Sequence, residues 1–186
     1  FSTPAWVKLF VELAHLNLAK GESTLVVVPD YREHEQVLAA LLRAGLGSFV
    51  ANYSQDSPKS KQFEAFLRAL DAEPRIILGS RAAAYAPAHK LGSILIFDEA
   101  DPSYADQASP YLHTRDVLLV RQTIEQCSLV FASHSISCEM KRLIDTGYLV
   151  DRTRPFTAPR VSNSEPGLRV DSSGYAAIKS GLEMGC

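Results

Sequence analysis

Apolar and polar positions follow two alternating periodicities along the first 150 residues. Residues 5–19 have apolar positions spaced as on one face of a helix, whereas residues 25–28 are apolar throughout. The first pattern predicts an amphipathic helix and the second a strand buried on both faces. Strands separated by helices indicate βαβ units and a mostly parallel sheet. Further helices are predicted over residues 32–44, 59–71, 114–126 and 136–146, and further strands over residues 49–53, 75–78, 93–97, 128–132 and 148–150.

The composition changes after residue 150. Residues 151–172 are rich in Arg, Pro, Ser and Asn and show little periodicity, which predicts a linker. Residues 173–186 open with a helical pattern, and we interpret them as the start of a truncated second domain. The 186 residues are enough for one sizeable core, which we assign to residues 1–150. The chain begins without methionine and stops just after the helical pattern, so we expect a fragment of a longer protein.

The charge and the composition narrow the classes of partner. A net charge of -2 and a pI near 6.2 give no overall electrostatic reason for binding nucleic acid or membrane, so a DNA-binding surface would have to be local. No run of 18 apolar residues and no signal peptide is present, and we expect a cytoplasmic protein without a membrane partner. The three cysteines match no zinc or redox spacing, which indicates reduced thiols.

An abrupt change from apolar to acidic residues ends the predicted strand over residues 93–97. Asp98, Glu99 and Asp101 follow it within four positions. Acids at the carboxyl end of a buried strand are typical of α/β proteins that hold Mg²⁺ against phosphates, at the edge where open sheets bind ligands. Asp98 would then face the metal and Glu99 the attacking water. The alternative is that these acids cap the next turn.

Three other polar segments follow predicted strands, so all four would meet at one edge of a parallel sheet. The first of them is Val28-Pro29-Asp30. Gly79, Ser80 and Arg81 offer close backbone approach, a hydroxyl and a guanidinium, which suit a phosphodiester contact, although an ordinary turn would look similar. Residues 133–135, Ser-His-Ser, could relay between sites through hydrogen bonds or simply cap the next helix. No Gly-x-Ser-x-Gly elbow is present, which disfavours a nucleophilic hydrolase.

In this order the segments resemble the first RecA-like motor domain of the PriA family, the primosomal replication-restart helicases of superfamily two. Family members carry Val-Pro-Glu, then Gly-Thr-Arg-Ser-Ala, an Asp-Glu-Glu-His box with Ser-Tyr, and Gly-Ser-Ala-Thr-Pro-Ser. A Phe-Ala-Pro motif and a Tyr-x-Ala-Arg-Asp-Val motif complete the set. The corresponding segments of this chain are residues 28–30, 79–83, 98–101 with 103–104, 132–137, 85–87 and 111–117.

The resemblance implies a RecA-like three-layer sandwich of the P-loop NTPase type, with ATP and Mg²⁺ as cofactors. It implies that Asp98 and Glu99 are Walker B-like catalytic residues, with Mg²⁺ on Asp98. It also implies that Gly79, Ser80 and Arg81 bind DNA and that Ser133, His134 and Ser135 couple ATP to DNA. Branched or single-stranded DNA and the primosome proteins are the implied partners. Full-length members also hold zinc, for which this chain has no site.

One departure from the family pattern bears on activity. The Walker A loop should fall near residues 1–7, but no glycine stands there, and Trp6 and Val7 occupy the position expected for the phosphate-binding lysine. An indole supplies no positive charge to phosphate, and Lys8 without the glycines is typical of a solvated helix residue. His134 also replaces the small residue of the coupling motif.

These observations leave three functional interpretations. We expect a PriA-type DNA-binding scaffold that has lost ATP hydrolysis. The first alternative is an active 3′-to-5′ helicase whose phosphate loop lies before Phe1 or is misaligned here. The second is a superfamily-two ATPase acting on RNA, which residues 85–87 and 111–116 disfavour.

Overall fold

The computed structural model describes residues 3–53, 58–153 and 172–183. The chain divides into two compact units, Phe1–Tyr148 and Leu149–Cys186. The first unit holds five strands and five α-helices among its described residues, and the second holds one helix, α6, Ser172–Glu183. The elements of the first unit are α1 Ala5–Ala19, β1 Ser23–Val27, α2 Tyr31–Arg43, β2 Val50–Tyr53, α3 Lys59–Leu70, β3 Ile76–Gly79, β4 Leu91–Phe97, α4 Thr114–Glu125, β5 Ser128–Ala132 and α5 Cys138–Asp145.

The five strands form one sheet in the order β2-β3-β1-β4-β5, and every pairing is parallel. The prediction of a mostly parallel α/β sheet is therefore confirmed. Each of the central strands β1, β3 and β4 is almost wholly buried, as expected for strands covered on both faces. Because all strands run the same way, their carboxyl ends lie along a single edge.

Two hydrophobic clusters cover the two faces of the sheet. On one face, Phe10 of α1 and Leu41 of α2 pack with Val26 and Leu95. On the other face, α3, α4 and a 3₁₀ turn over Arg81–Tyr85 pack against the strands through small and aliphatic side chains. The result is three layers, helix, sheet and helix, which is consistent with the RecA-like sandwich predicted from the sequence.

The predicted strand over residues 148–150 is wrong. Helix α5 ends at Asp145, and Gly147 at φ 75° turns the chain so that the Tyr148 N–H donates to the Leu143 carbonyl at 2.9 Å. This is a helix C-terminal turn, in which a glycine relieves the left-handed strain. Val150 is 76% exposed, so the short apolar run has no core to join.

The described residues test the predicted linker and the predicted domain boundary only in part. Most of the predicted linker, from residue 154 to 171, lies outside them, and the division at residue 150 stays a prediction. Within the described segments, no helix combines the length and the apolar character needed to cross a membrane.

Candidate nucleotide and nucleic-acid site

Strand β4 delivers its acids through a sharp turn at Asp98. The residue has φ 49°, a left-handed conformation that Asp tolerates better than most residues, and its N–H donates to the Ala132 carbonyl of β5 at 2.8 Å. Asp98 itself is half-buried at the carboxyl edge, whereas the next side chain, Glu99, is 1% exposed. The two carboxylates that the sequence groups together therefore lie in different environments.

Glu99 is held in a buried ion pair. Nη1 of Arg115, at the start of α4, donates to Glu99 Oε2 at 3.0 Å, while Glu99 Oε1 has no hydrogen-bond partner among the described residues. Arg115 also contacts Asp116 at 3.2 Å and Glu139 of α5 at 3.8 Å. Burial alone would lower the pKa of Arg115, but the hydrogen bond that Arg115 donates to Glu99 and the charge of Asp116 raise that pKa above its ordinary value. One guanidinium thus joins β4, α4 and α5.

Aromatic packing occupies the position that the sequence assigns to the Walker A lysine. The Trp6 indole stacks on Phe97, the last residue of β4, with ring centroids 3.8 Å apart and planes 14° from parallel. The His134 ring contacts Phe97 edge-on at 5.5 Å, and Val7 is completely buried in the core. The structure thus brings Trp6 and His134 together with the strand that carries Asp98, through stacked and edge-to-face ring contacts.

Gly79, Ser80 and Arg81 lie at the carboxyl end of β3, as predicted. A Cβ on Gly79 would lie 2.7 Å from Tyr53 Cβ and 2.9 Å from Ala83 Cβ, so packing explains this glycine without a ligand. The Ser80 hydroxyl is buried without a hydrogen-bond partner among the described residues. Arg81 donates from Nη1 to the Ala105 carbonyl at 3.0 Å and lies 3.9 Å from Asp106, with 37% of its side chain exposed. Its guanidinium therefore binds the loop after β4.

Ser133, His134 and Ser135 are exposed beyond the end of β5. The Ser133 hydroxyl donates to the Ser135 carbonyl, which closes a local turn. The residue that caps α5 is Ser137, whose side chain accepts from the Met140 N–H at 3.1 Å. The capping role considered for the tripeptide thus belongs to a serine two residues further on.

Tyr104 is a central residue of this edge, which the sequence analysis matched to the Ser-Tyr pair of the family without assigning it a role. Its side chain is completely buried, and its hydroxyl lies 2.8 Å from the Phe97 carbonyl and 3.3 Å from the Val27 carbonyl. Burial, together with the nearby Asp101 and Asp98, raises the pKa of Tyr104 far above its ordinary value. The neutral hydroxyl links the ends of β1 and β4. A tyrosine shortly after an acidic strand end was the available signal, but periodicity could not place it.

Asp30 serves the fold at the end of β1. Its side chain accepts from the Arg32 N–H at 2.6 Å and caps α2. A hydrogen bond shared with Glu33 lowers the pKa of Asp30, and burial followed by that same bond raises the pKa of Glu33. The Ser103 hydroxyl donates to the Pro29 carbonyl at 3.2 Å, so the segments after β1 and β4 are tied together.

Few side chains at this edge are placed to act as metal ligands. Over the residues that the structure describes, no group of three or more His, Cys, Asp and Glu side chains is arranged to hold a metal ion. Mg²⁺ in nucleotide sites needs only one or two carboxylates, because phosphates and water complete its shell. Asp98 remains the residue that would hold Mg²⁺, and that assignment stays a prediction.

The fold and the acidic strand end together place the first unit in the RecA-like class of α/β proteins. No family model matches the chain. The chain is, however, similar in sequence to several curated proteins. It is 29% identical over 172 residues to the probable replication restart protein PriA of Mycobacterium tuberculosis strain H37Rv, which covers 91% of the chain. It is 31% identical over 133 residues to the replication restart protein PriA of Synechocystis, and 26% identical over 132 residues to that of Bacillus subtilis, each covering 71% of the chain.

The predicted resemblance is confirmed: the chain is related to the PriA replication restart proteins of several bacteria. The match covers 26% of the mycobacterial protein and 16% of each of the other two. The chain thus spans about a quarter or less of the length of these relatives.

Proposed function

We propose that the chain is part of a PriA-type replication-restart protein, present in the cytoplasm, that works as a DNA-binding scaffold and no longer hydrolyses ATP. The observation that carries the proposal is the stacking of Trp6 on Phe97, directly before Asp98. Branched or single-stranded DNA and primosome proteins are the proposed partners. The similarity to replication restart proteins PriA of other bacteria supports the restart role.

A Walker A loop binds phosphate with a lysine and with glycines that let backbone amides wrap the phosphate, and residues 1–7 contain neither lysine nor glycine. The Trp6 indole is packed between Phe97 and Phe10, with centroid distances of 3.8 and 5.4 Å. Val7 is part of the core, and Lys8 is exposed on the helix. A nucleotide whose phosphates lay at the position of Trp6 would have to displace this aromatic packing.

The state of Glu99 supports the same proposal. A glutamate that activates water must reach the water with a free oxygen. Glu99 is 1% exposed: Oε2 accepts from Arg115, and Oε1, although it has no partner among the described residues, is buried away from solvent. Its role is then to neutralise Arg115 inside the protein, which also explains why an acid is kept at a site without hydrolysis.

An active ATP-dependent 3′-to-5′ helicase is the second candidate, and the outer edge of β5 favours it. No described strand pairs with that edge, although Leu129, Val130, Phe131 and Ala132 are apolar and only half-buried. A parallel strand leading into α1 by a right-handed crossover would occupy this edge. A phosphate-binding loop between such a strand and α1 would open next to Trp6, and the indole would have to move to admit nucleotide.

The chain contains a single tryptophan, so intrinsic fluorescence reports directly on this site. We expect no saturable change in Trp6 emission when MgATP is added up to millimolar concentration. A Mg²⁺-dependent, saturable change that Asp98→Asn removes and Asp145→Asn keeps would contradict the loss of nucleotide binding. In the longer natural protein, DNA-stimulated hydrolysis that disappears in Asp98→Asn/Glu99→Gln would establish the helicase instead.

DNA binding is tested separately through Arg81. We expect Arg81→Ala to weaken binding of a labelled single-stranded oligonucleotide about 5-fold, the loss of about 1 kcal/mol for one charge-assisted contact. Because Arg81 also binds the Ala105 carbonyl, the unfolding transition of the variant has to be compared with that of the unaltered protein. Unchanged affinity in a folded Arg81→Ala variant would remove Arg81 from the proposed contact.

A further inference from the structure

A cavity of about 380 Å³ lies at the amino edge of the sheet, where β4 begins, whereas Asp98 follows the other end of that strand. Its volume falls within the range of about 300–1,000 Å³ that is usual for small-molecule sites. The lining surface is almost entirely polar and is contributed by Asn17, Lys20, Glu22, Leu91, Gly92, Gln126, Cys127 and Ser128. A cavity of this kind suits a small polar ligand rather than an apolar one.

Glu22 presents an unpaired carboxylate to this cavity. Its side chain lies directly over Gly92: a Cβ on that glycine would be 2.5 Å from Glu22 Oε2 and 2.8 Å from Glu22 Cβ. The residue is half-buried, and none of the described residues forms a hydrogen bond or an ion pair with its carboxylate. A charge that is partly withdrawn from water without a partner is unfavourable, so this position favours a bound cation.

The neighbouring groups add acceptors to the cavity. Asn17 Nδ2 donates to Thr24 Oγ1 at 2.8 Å and to Ser93 Oγ at 2.5 Å, so both amide hydrogens are used and the Asn17 oxygen is left. Helices α1 and α4 both end at the cavity, with Lys20 and Gln126 as their C-caps, and helix C-termini carry partial negative charge and unpaired carbonyls. The cavity therefore favours a ligand that is positively charged and donates N–H hydrogen bonds.

Lys20 is the lining residue that opposes a cation. It is exposed, and in the described part of the chain it forms no ion pair with Glu22. Its flexible stem lets the ammonium group stay in water while another cation occupies the cavity. A metal ion fits less well, since no three His, Cys, Asp or Glu side chains of the described residues converge on one position.

We propose that this cavity binds the ammonium group of an alkylamine. Such a group has three N–H donors, which match the Glu22 carboxylate and the Asn17 oxygen. The proposal goes beyond the proposed function and does not depend on it, because the cavity and Asp98 lie at opposite ends of β4.

Isothermal titration calorimetry of the whole chain with putrescine, a linear diamine, tests the proposal. We expect saturable binding of putrescine and none of the corresponding diol, which has the same chain without the charges. Glu22→Gln should weaken binding about 10-fold, because one charge-assisted hydrogen bond is lost. Glu12→Gln, which neutralises an exposed glutamate of α1, should leave the affinity unchanged. The absence of saturable putrescine binding, or equal weakening by both substitutions, would overturn the proposal.

Lys20 provides a second test with the opposite sign. Lys20→Gln should tighten putrescine binding about 3-fold, because it removes a competing charge from the cavity lining. Lys8→Gln, at an exposed position near the other end of α1, should have no such effect. If Lys20→Gln bound putrescine no more tightly than Lys8→Gln does, the ligand would not lie in this cavity and the proposal would fail.

A comparison of two ligands distinguishes the sources of the ammonium group. Putrescine represents a free amine, and Nα-acetyl-lysine amide represents a lysine side chain of another protein, with its ammonium on a similar alkyl chain. A preference for either one that Glu22→Gln removes upholds the ammonium site and identifies its source. Binding of both ligands that persists undiminished in Glu22→Gln would contradict it.

Discussion

Glu99 and Arg115 are of residue types that often act in catalysis, but here they form a buried ion pair that stabilises the fold. Both are at least nine-tenths buried, and their side chains meet at 3.0 Å. Removing one partner of a buried pair leaves the other charge uncompensated, which costs more than the pair itself contributes. Neither the burial nor the pairing could be read from the sequence, because they depend on how α4 packs beside β4.

Arg115→Ala should therefore lower the free energy of unfolding by about 3–5 kcal/mol, because it leaves a buried carboxylate alone. Denaturant unfolding followed by circular dichroism measures the loss. Arg142→Ala, which removes an exposed arginine of α5, should change stability by no more than about 0.5 kcal/mol. Equal effects of the two substitutions would show that the Glu99 pair has no structural importance.

The sequence analysis interpreted Gly79 as a residue that contacts a phosphodiester, whereas the structure gives it a packing role. A Cβ there would lie 2.8 Å from the Tyr53 carbonyl oxygen, a backbone atom that cannot move aside. We expect Gly79→Ala to destabilise the protein by about 1–3 kcal/mol through overpacking. Gly47→Ala is the matched control, since its nearest atom, at 2.6 Å, is the flexible tip of the Leu42 side chain. A Gly79→Ala variant as stable as Gly47→Ala would return this glycine to a ligand role.

At the scale of elements, the sequence predicts the type and order of nearly every helix and strand of the first unit. The predictions rest on two strong periodicities, and the observed ends of α1, α3 and β5 agree with them within one residue. The strand over residues 148–150 failed because a three-residue apolar run carries no periodicity. The 3₁₀ turns could not be predicted either, since they depend on local caps such as Asp101, which accepts from the Ser103 N–H.

The amino end of α4 contains a titratable cap. His113 Nδ1 accepts from the Arg115 N–H at 3.2 Å, so this nitrogen has to be unprotonated. Burial, followed by the Arg115 charge, lowers the pKa of His113 below its ordinary 6.5, while the nearby Asp116, Glu99 and Glu139 oppose the shift. The unfolded chain then binds the proton more tightly than the folded one, so stability is lost as the pH falls through 6.5.

His113→Asn should reduce this sensitivity to acid, because asparagine caps a helix without titrating. We expect wild type and variant to have similar free energies of unfolding at pH 7.5, and the variant to lose less when the pH is lowered to 5.5. The control is His15→Asn, which changes an exposed histidine of α1. An unaltered pH dependence in His113→Asn would mean that other groups determine the acid response.

The whole sheet follows one rule of connection. The crossover from β1 to β2 passes through α2 on one face, and the crossovers from β2 to β3, β3 to β4 and β4 to β5 pass over the other face. Moves in opposite directions use opposite faces, as connections of a single handedness require. This rule gathers the four polar segments at one edge, which the sequence predicted correctly. Strand order itself could not be predicted, because several orders satisfy the same alternation.

Among the described residues, both hydrophobic clusters draw their members from positions up to 132, all within the first unit. We therefore expect a chain truncated after Val150 to fold and to unfold cooperatively within about 4 °C of the complete chain, a shift of roughly 1 kcal/mol or less. The near-ultraviolet dichroism of Trp6, which lies in this unit, reports its tertiary packing during heating. Loss of that signal in the truncated chain, or a transition shifted well beyond this range, would move the boundary past residue 150. The aromatic packing of Trp6, Phe10 and His134 around Phe97 lies within residues 1–150, so nucleotide binding can be measured on the truncated chain without residues 151–186.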